Sequence, residues 1–490
     1  MKLYIPYHEC GTMSRGISRR NFMLHAGVTA GAVGLAGCTG GGNDGGNGGS
    51  GGGGGGGGSG GNGGDGGGGN GGGDASSGSR PLKWMGPAWA VRGGQGDKFT
   101  EMTGNEIDIT TADIPTTQQK LLSGDRETFD AFSLDTSGAG ALTQDNDASL
   151  TVPTSALDKW DESTITPLFT DPGERVGYLG AQTDTLLNEL WANEDRTELL
   201  FPPHVYNFDA IGLNPKLVDV DAVTKWSALF DDQYSGQVAM GATSAISIPE
   251  ALMHLLDNGM IDADVGDLND PTEDQLDAAV DFLIKEKEAG QFRSTWVAYG
   301  NSVNLMSSEE AILGDIWQPA CLDVRRAGTP CTYATMSDGV QGYRYWYGGI
   351  APASPGASSR NNVDEVHTLI NDVHYGAWFP GFIQGWGYSV PHYPNTELVR
   401  DGSDESGQGM GPEYYDWAYE GTATYQSVAE PGLFDPQTYE WSMEEGSPAS
   451  DGKVRDSGPI EQRIDRLGFF QIWPSNADYM LNRWQEFTSA

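Results

Sequence analysis

Phe129-Asp130-Ala131-Phe132-Ser133-Leu134 is an apolar run of strand length, and Asp135-Thr136-Ser137-Gly138 stops it with turn-forming residues. Upstream, Gln118 to Leu122 has helical spacing, Glu106 to Thr111 alternates as a strand does, and Gly96 to Thr103 is helical up to Gly104. Pro81 to Trp84 opens an apolar stretch before them. Strand, helix, strand, helix and strand with short links predict an α/β layer. Downstream, Val205 to Leu213 predicts a strand, and Asp221 to Phe230 a helical segment beginning at Val220-Asp221-Ala222. Ile246 to Leu256 and Thr272 to Ala289 predict helices, the second preceded by Pro271 and ended by Gly290. Glu310 to Trp317 predicts a buried strand, Asn362 to Val373 an amphipathic helix, and Asp478 to Phe487 a short closing helix. There is no internal repeat.

Charge narrows the function classes. Residues 1–80 hold four acids and five bases, so residues 81–490 carry 64 acids against 23 bases, a net of −41. Such a field repels nucleic acid and anionic membrane surfaces. It is tolerable where salt screens self-repulsion within a few ångströms. The acids are spread along the body, so we read a halophile's surface and a salt-loving archaeon as its source. The alternative, acidic charge serving a cationic ligand, accounts poorly for an even spread. A body of this length is long enough for two domains. Of its 14 Trp, most are expected in the core and a minority along an aromatic ligand cleft. Cys321 and Cys331 close a short loop and are expected to form a disulfide. No Cys-x-x-Cys or nearby His completes a zinc site, and His367, His374 and His392 are expected as helix-face and turn residues. No metal and no cofactor are expected.

The first forty residues give an address. Ser18-Arg19-Arg20-Asn21-Phe22-Met23, an uncharged run to Gly37 and Leu35-Ala36-Gly37-Cys38 look like a twin-arginine lipoprotein signal with a lipobox. Cys38 would then be the lipidated first residue of the mature chain, anchored at the outer face of the cell membrane. The apolar run, about 15 residues, is too short for a membrane span, which needs about 20. Met13 serves as well as Met1 for the start. From Gly40 to Gly73, 26 of 34 residues are Gly, so no core can form there. A Gly-rich chain of about 40 residues reaches roughly 35 Å, which suits a tether. A nucleotide-binding glycine loop is excluded, because no Lys-Ser/Thr closes the stretch and no strand or helix flanks it.

Six further landmarks, in order, resemble the type 2 periplasmic solute-binding proteins of ABC importers, close to the spermidine/putrescine-binding branch. Asp209-Ala210-Ile211-Gly212-Leu213-Asn214 is similar to the family strand ending in Gly-x-Asn. Lys225-Trp226-Ser227-Ala228-Leu229-Phe230 and Tyr234 to Met240 follow it, as in the family. Ala311 to Trp317 with Arg326 to Pro330 resembles the next landmark, and Tyr345-Trp346-Tyr347-Gly348-Gly349-Ile350-Ala351-Pro352 the strand that returns to the first lobe. His367 to Asn371 and Gly387-Tyr388-Ser389-Val390-Pro391 resemble the post-hinge helix and turn, and Asp478 to Phe487 the usual ending. Tyr393 to Ile472 fits poorly and is expanded.

The resemblance implies two α/β lobes, each a mixed sheet flanked by helices, joined by two hinge strands around a ligand. It divides the chain into a signal (1–38), a tether (39–80), the first part of lobe one (81–208), lobe two (209–348) and the expanded remainder of lobe one (349–490). It implies cleft contacts at Trp89, at Asp135, Thr136 and Ser137, and at Trp317. A second aromatic wall falls on Tyr345 or Trp346, a one-residue ambiguity. Two carboxylate positions of polyamine binders are lost. One is the turn Gly241-Ala242-Thr243-Ser244-Ala245-Ile246-Ser247, and the other is Tyr347 or Gly348. A buried ammonium without a counter-charge is costly. Asp135 and Asp209 can each offset one positive charge, whereas Thr243 and Ser244 suit an anionic or neutral oxygen, unless that turn only caps a helix at Pro249. The function implied is a monomeric, lipid-anchored binding protein that delivers a small solute, though not a typical polyamine, to an ABC permease. The rivals are a sensor without a permease and an anchored extracellular hydrolase. The second lacks a Gly-x-Ser-x-Gly elbow and a His-Glu-x-x-His motif, so no enzyme is expected.

Overall fold

The computed structural model describes residues 80–391, apart from 124, 144–146, 162–163, 377–378, 381–382 and 384–387, and residues 463–490. The signal, Cys38, the glycine tether, His392 and residues 393–462 lie outside the described residues. No described helix is long and apolar enough to cross a membrane.

The strands are β1 (Leu82–Gly86), β2 (Ile107–Thr111), β3 (Ala131–Asp135), β4 (Val152–Pro153), β5 (Glu198–Leu199), β6 (Pro203–Asp209), β7 (Gly212–Leu213), β8 (Val238–Gly241), β9 (Phe292–Trp296), β10 (Leu313–Gly314), β11 (Thr332–Tyr333), β12 (Tyr343–Pro352) and β13 (Leu467–Phe470). The first sheet has the order β13-β12-β3-β1-β2, with β6 also paired to β12. Its strands β1, β2 and β3 are parallel, and β12 runs antiparallel to both β3 and β6. The second sheet has the order β11-β7-β10-β8-β9. β4 and β5 form a separate pair.

Helices cover these sheets for local reasons. Gly93–Thr103 ends at Gly104, whose φ of 74° is the left-handed conformation a helix end favours. Glu273–Glu288 starts with a capping box between Thr272 and Gln275, with Glu273 and Asp274 in its first turn and Lys285 and Lys287 in its last. Ser244–Asp257 starts at Thr243 and carries Pro249 inside it, so the helix begins a turn earlier than a cap at Pro249 implies. Asp221 to Phe230 forms two 3₁₀ turns rather than a continuous helical segment. The helix expected over Asn362 to Val373 becomes a short α-helix, Val363–Thr368, followed by a π-helical turn, Leu369–His374.

Three boundaries are corrected. The strand expected over Val205 to Leu213 divides into β6 and β7, because the buried Ala210 and Ile211 carry the chain from the first sheet into the second. Of Glu310 to Trp317 only β10 pairs, since Asp315 leaves the ladder to accept a hydrogen bond from the Gly241 amide. The whole of β12 belongs to the first sheet, so the chain returns from Tyr343, before the expected boundary at 348.

The Cys321–Cys331 disulfide is also corrected. Both cysteines are buried and unbridged. Cys321, on the helix Gln318–Arg326, packs its sulfur against Gly212 of β7, and Cys331 offers its carbonyl to Arg325 Nε at 2.7 Å.

Candidate functional site

The pleat of β12 decides which of its side chains can meet a ligand. Successive residues point to opposite faces. Tyr345 and Tyr347 share one face and lie in the core: Tyr345 packs edge-on to Phe470 at 4.6 Å, and Tyr347 donates to the Glu189 carbonyl at 2.9 Å. Arg344, Trp346 and Gly348 share the other. Antiparallel pairing brings Asp209 opposite Arg344, Asn207 opposite Trp346 and Asp135 opposite Gly348. Of the two candidates, Trp346 shares the face of Arg344 and Gly348. Tyr345 and Tyr347 lie on the opposite face.

An aromatic wall stands on that face. Trp346 makes edge-to-face contacts with Trp89 (5.8 Å) and Tyr388 (5.0 Å). Tyr388 is held there because Ser389 exchanges backbone hydrogen bonds with Tyr206 of β6. A Cβ at Gly348 would lie 2.6 Å from the Trp89 ring, so Trp89 fills the space into which a side chain at 348 would project.

Beside the wall, at the end of β3, Asp135 is buried. Its Oδ1 accepts from Ser137 Oγ (2.7 Å) and the Gly138 amide (2.9 Å), and its Oδ2 from Gln471 Nε2 (3.2 Å). Thr136 Oγ1 donates to the Gln471 carbonyl at 2.9 Å. Burial raises the Asp135 carboxyl above its ordinary value, and its hydrogen bonds only partly oppose this. Among the described residues no cation pairs with Asp135, and Gln471 Oε1 is buried without a donor. A hydrogen-bond donor carrying positive charge would satisfy both.

Asp209 is placed differently from expectation. It is fully buried, and its Oδ2 accepts from Arg344 Nη2 (3.0 Å) and Trp346 Nε1 (2.8 Å). Asn207 donates to its other oxygen. The positive charge it offsets is the chain's own Arg344. Arg344 Nη1 also donates to Glu250 Oε1 at 3.0 Å. Among the described residues, Glu250 Oε2 and Asp315 Oδ2 are each buried without a hydrogen-bond partner. Burial and the Asp315 charge push Glu250 well above the usual carboxylate range, and burial raises Asp315. Burial works against the Arg344 charge, but Asp209, Glu250 and Asp315 outweigh it and hold the guanidinium ionised.

On the second sheet, Trp317 precedes the helix Gln318–Arg326 and stacks near Tyr299 (6.2 Å) and edge-on to Trp296 (5.1 Å). Trp296 Nε1 donates to Asp315 Oδ1 at 3.3 Å. Thr243 and Ser244 sit at the N-terminus of Ser244–Asp257. The turn is less open to an outside anion than expected. The Gly241 amide already binds the Asp315 carboxylate at 2.6 Å, the Ala242 amide binds the Trp296 carbonyl, and those of Ile246 and Ser247 bind the Thr243 carbonyl. Sequence reasoning missed Arg344, Glu250, Asp315, Tyr388 and Gln471. Arg344 carried a signal: a charge inside an aromatic strand must have buried partners.

The chain belongs to the bacterial extracellular solute-binding protein family, whose profile matches residues 95–357. It is 24% identical over 237 residues to the spermidine/putrescine-binding periplasmic protein of Escherichia coli, covering 44% of this chain and 62% of that protein. The chain thus matches less than two thirds of that relative's length. Its fold is that of type 2 periplasmic binding proteins. A putative spermidine/putrescine ABC transporter structure from Listeria monocytogenes superposes with a TM-score of 0.51 at 14% identity, covering 83% of this chain and 98% of that one. A spermidine/putrescine ABC transporter substrate-binding protein from Streptococcus pneumoniae gives 0.50 at 14% identity, covering 84% and 99%.

Proposed function

We propose that this protein is a lipid-anchored extracytoplasmic binding protein that captures a small solute between its two lobes and delivers it to an ABC permease. The solute has one cationic centre and a flat or carbon-rich part. One observation carries the reading: Asp135 is buried beside the wall of Trp89, Trp346 and Tyr388 with no cation of its own among the described residues. Trp317 and its neighbours supply a second apolar surface from lobe two. Stacking of a cationic group on such rings contributes about 0.5–2 kcal/mol per ring.

Calorimetry on the body in molar salt tests this. Monocationic solutes with an apolar part are expected to bind, whereas spermidine and 1,4-diaminobutane bind weakly or not at all. Trp317→Ala is expected to weaken binding of the best monocation by more than tenfold. Submicromolar spermidine affinity in the unaltered protein overturns the assignment of one cationic centre.

Anchoring rests on the order Arg19-Arg20, apolar run, Cys38 and the glycine tether. Cys38→Ser is expected to release folded protein into the medium. If the variant stays in the membrane fraction, the anchor is not the lipid.

A further inference from the structure

Two carboxyl side chains, Asp209 and Glu250, bond one guanidinium, Arg344, and a third, Asp315, acts on it through its charge, with all four fully buried. The four come from different elements. Asp209 ends β6, Arg344 lies near the start of β12, Glu250 is in the helix Ser244–Asp257, and Asp315 follows β10. Arg344 uses both terminal nitrogens, one for Asp209 Oδ2 and one for Glu250 Oε1. The same Asp209 oxygen accepts from the Trp346 ring, and Asp315 accepts from Trp296, which packs on Trp317. The cluster therefore lies one hydrogen bond behind an aromatic surface on each side of the site. Tyr388 lies within electrostatic range of Asp209, Arg344 and Asp135 alike.

We propose that Arg344 is a built-in counter-ion that sets the charge this site accepts, occupying the hinge carboxylates so that Asp135 alone is left for a cationic solute. The proposal rests on the reading of the cleft given above and deepens it. A guanidinium and an ammonium compete for the same acceptors, and a charge-assisted hydrogen bond saturates a carboxylate oxygen. With Arg344 in place, a second ammonium near the hinge meets carboxyls that already bond the chain's own donors, Asp209 and Glu250 the Arg344 guanidinium and Asp315 the Gly241 amide and the Trp296 ring. Gly348 reinforces the selection. It shares the cleft face with Trp346, and Trp89 occupies the volume a carboxylate side chain would need. Arg344 is thus a specificity-determining residue, reached by the solute only through the groups it neutralises.

The test uses Arg344→Met, which keeps an apolar stem and removes the charge, and Arg344→Lys, which keeps a charge. Thermal unfolding in molar salt is followed against 1,4-diaminobutane and n-butylamine, because a ligand that binds the folded state raises the melting temperature. In the unaltered protein n-butylamine is expected to stabilise at least as well as the diamine. In Arg344→Met the preference is expected to invert, with diamine affinity rising at least tenfold relative to the monoamine, and in Arg344→Lys it is expected to stay as in the unaltered protein. Arg344→Met combined with Asp209→Asn removes the vacated charge and is expected to abolish the gain while recovering stability. If Arg344→Met folds with an unchanged preference, or stays unfolded at every diamine concentration, the cluster is structural only and the proposal fails. If the unaltered protein binds neither amine nor any other monocation, the reading of the cleft fails as well, which the first titration shows by itself.

Discussion

Asp209→Ala is expected to lower the unfolding free energy by about 3–5 kcal/mol, the range found when one partner of a buried ion pair is removed. The substitution leaves the Arg344 charge with a single hydrogen-bonded carboxyl, and Trp346 Nε1 loses its acceptor. Glu250→Gln contacts the same guanidinium, yet is expected to cost about 1 kcal/mol or less. Burial and the Asp315 charge push Glu250 well above the usual carboxylate range, which favours its neutral form, and an amide keeps the oxygen that accepts from Arg344 Nη1. The two variants thus separate a working counter-ion from a neutral hydrogen-bonding partner. Denaturant unfolding at neutral pH checks the pair. Equal costs would mean that Glu250 is ionised and shares the Arg344 charge with Asp209.

Much of this site is invisible in one dimension for identifiable reasons. The run Phe129 to Leu134 was legible as a strand because its composition changes abruptly at Asp135, and the structure places β3 at Ala131–Asp135. The identity of the wall residue was not legible. Tyr345, Trp346 and Tyr347 are all aromatic, and only the register of β12 against β6 and β3 shows which face each one takes. Asp209 looked available because its partner is 135 residues away in sequence. Asp315 lies inside the expected strand Glu310 to Trp317, and only the pairing of β8 with β10 brings it to the Gly241 amide. Gln471 falls in a stretch that fits the family pattern poorly, so nothing local distinguished it. Residues with a strong local period were placed within a few positions, whereas pairs joined by tertiary contact were not.

Stability is expected to fall as pH drops from about 6.5 toward about 4, and a pair of buried histidines carries the loss. His204, on β6, stacks on His374 with ring centres 4.8 Å apart and planes 11° off parallel, enclosed by Trp89, Trp84 and Phe379. Among the described residues, both His204 nitrogens are buried without a partner. His374 Nδ1 faces the Leu369 carbonyl at 3.0 Å, which assigns it the proton. Its Nε2 then accepts from Gln95 Nε2, whose orientation is fixed by donation to the Ala90 carbonyl. A proton on His374 Nε2 would oppose that N–H, and burial independently lowers the ring to about 4. Burial, and then the neighbouring His374, lower His204 well below its usual value. For a histidine depressed in the folded state, stability is complete above the unfolded value, near 6.5, and is lost as pH falls toward the folded one. A shift from 6.5 to about 4 corresponds to roughly 3 kcal/mol for His374 at the acid end. Glu250 and Asp315 act in the opposite sense, because a raised carboxyl gains stability as pH falls through its folded value. The measurement is therefore made in Glu250→Gln, which removes the Glu250 titration. Urea unfolding in molar salt between pH 7.5 and 4.5 is expected to show the loss, and His204→Phe, which keeps the stacked ring, to reduce it. A His204→Phe profile identical to that of its parent would assign the acid sensitivity to groups other than His204.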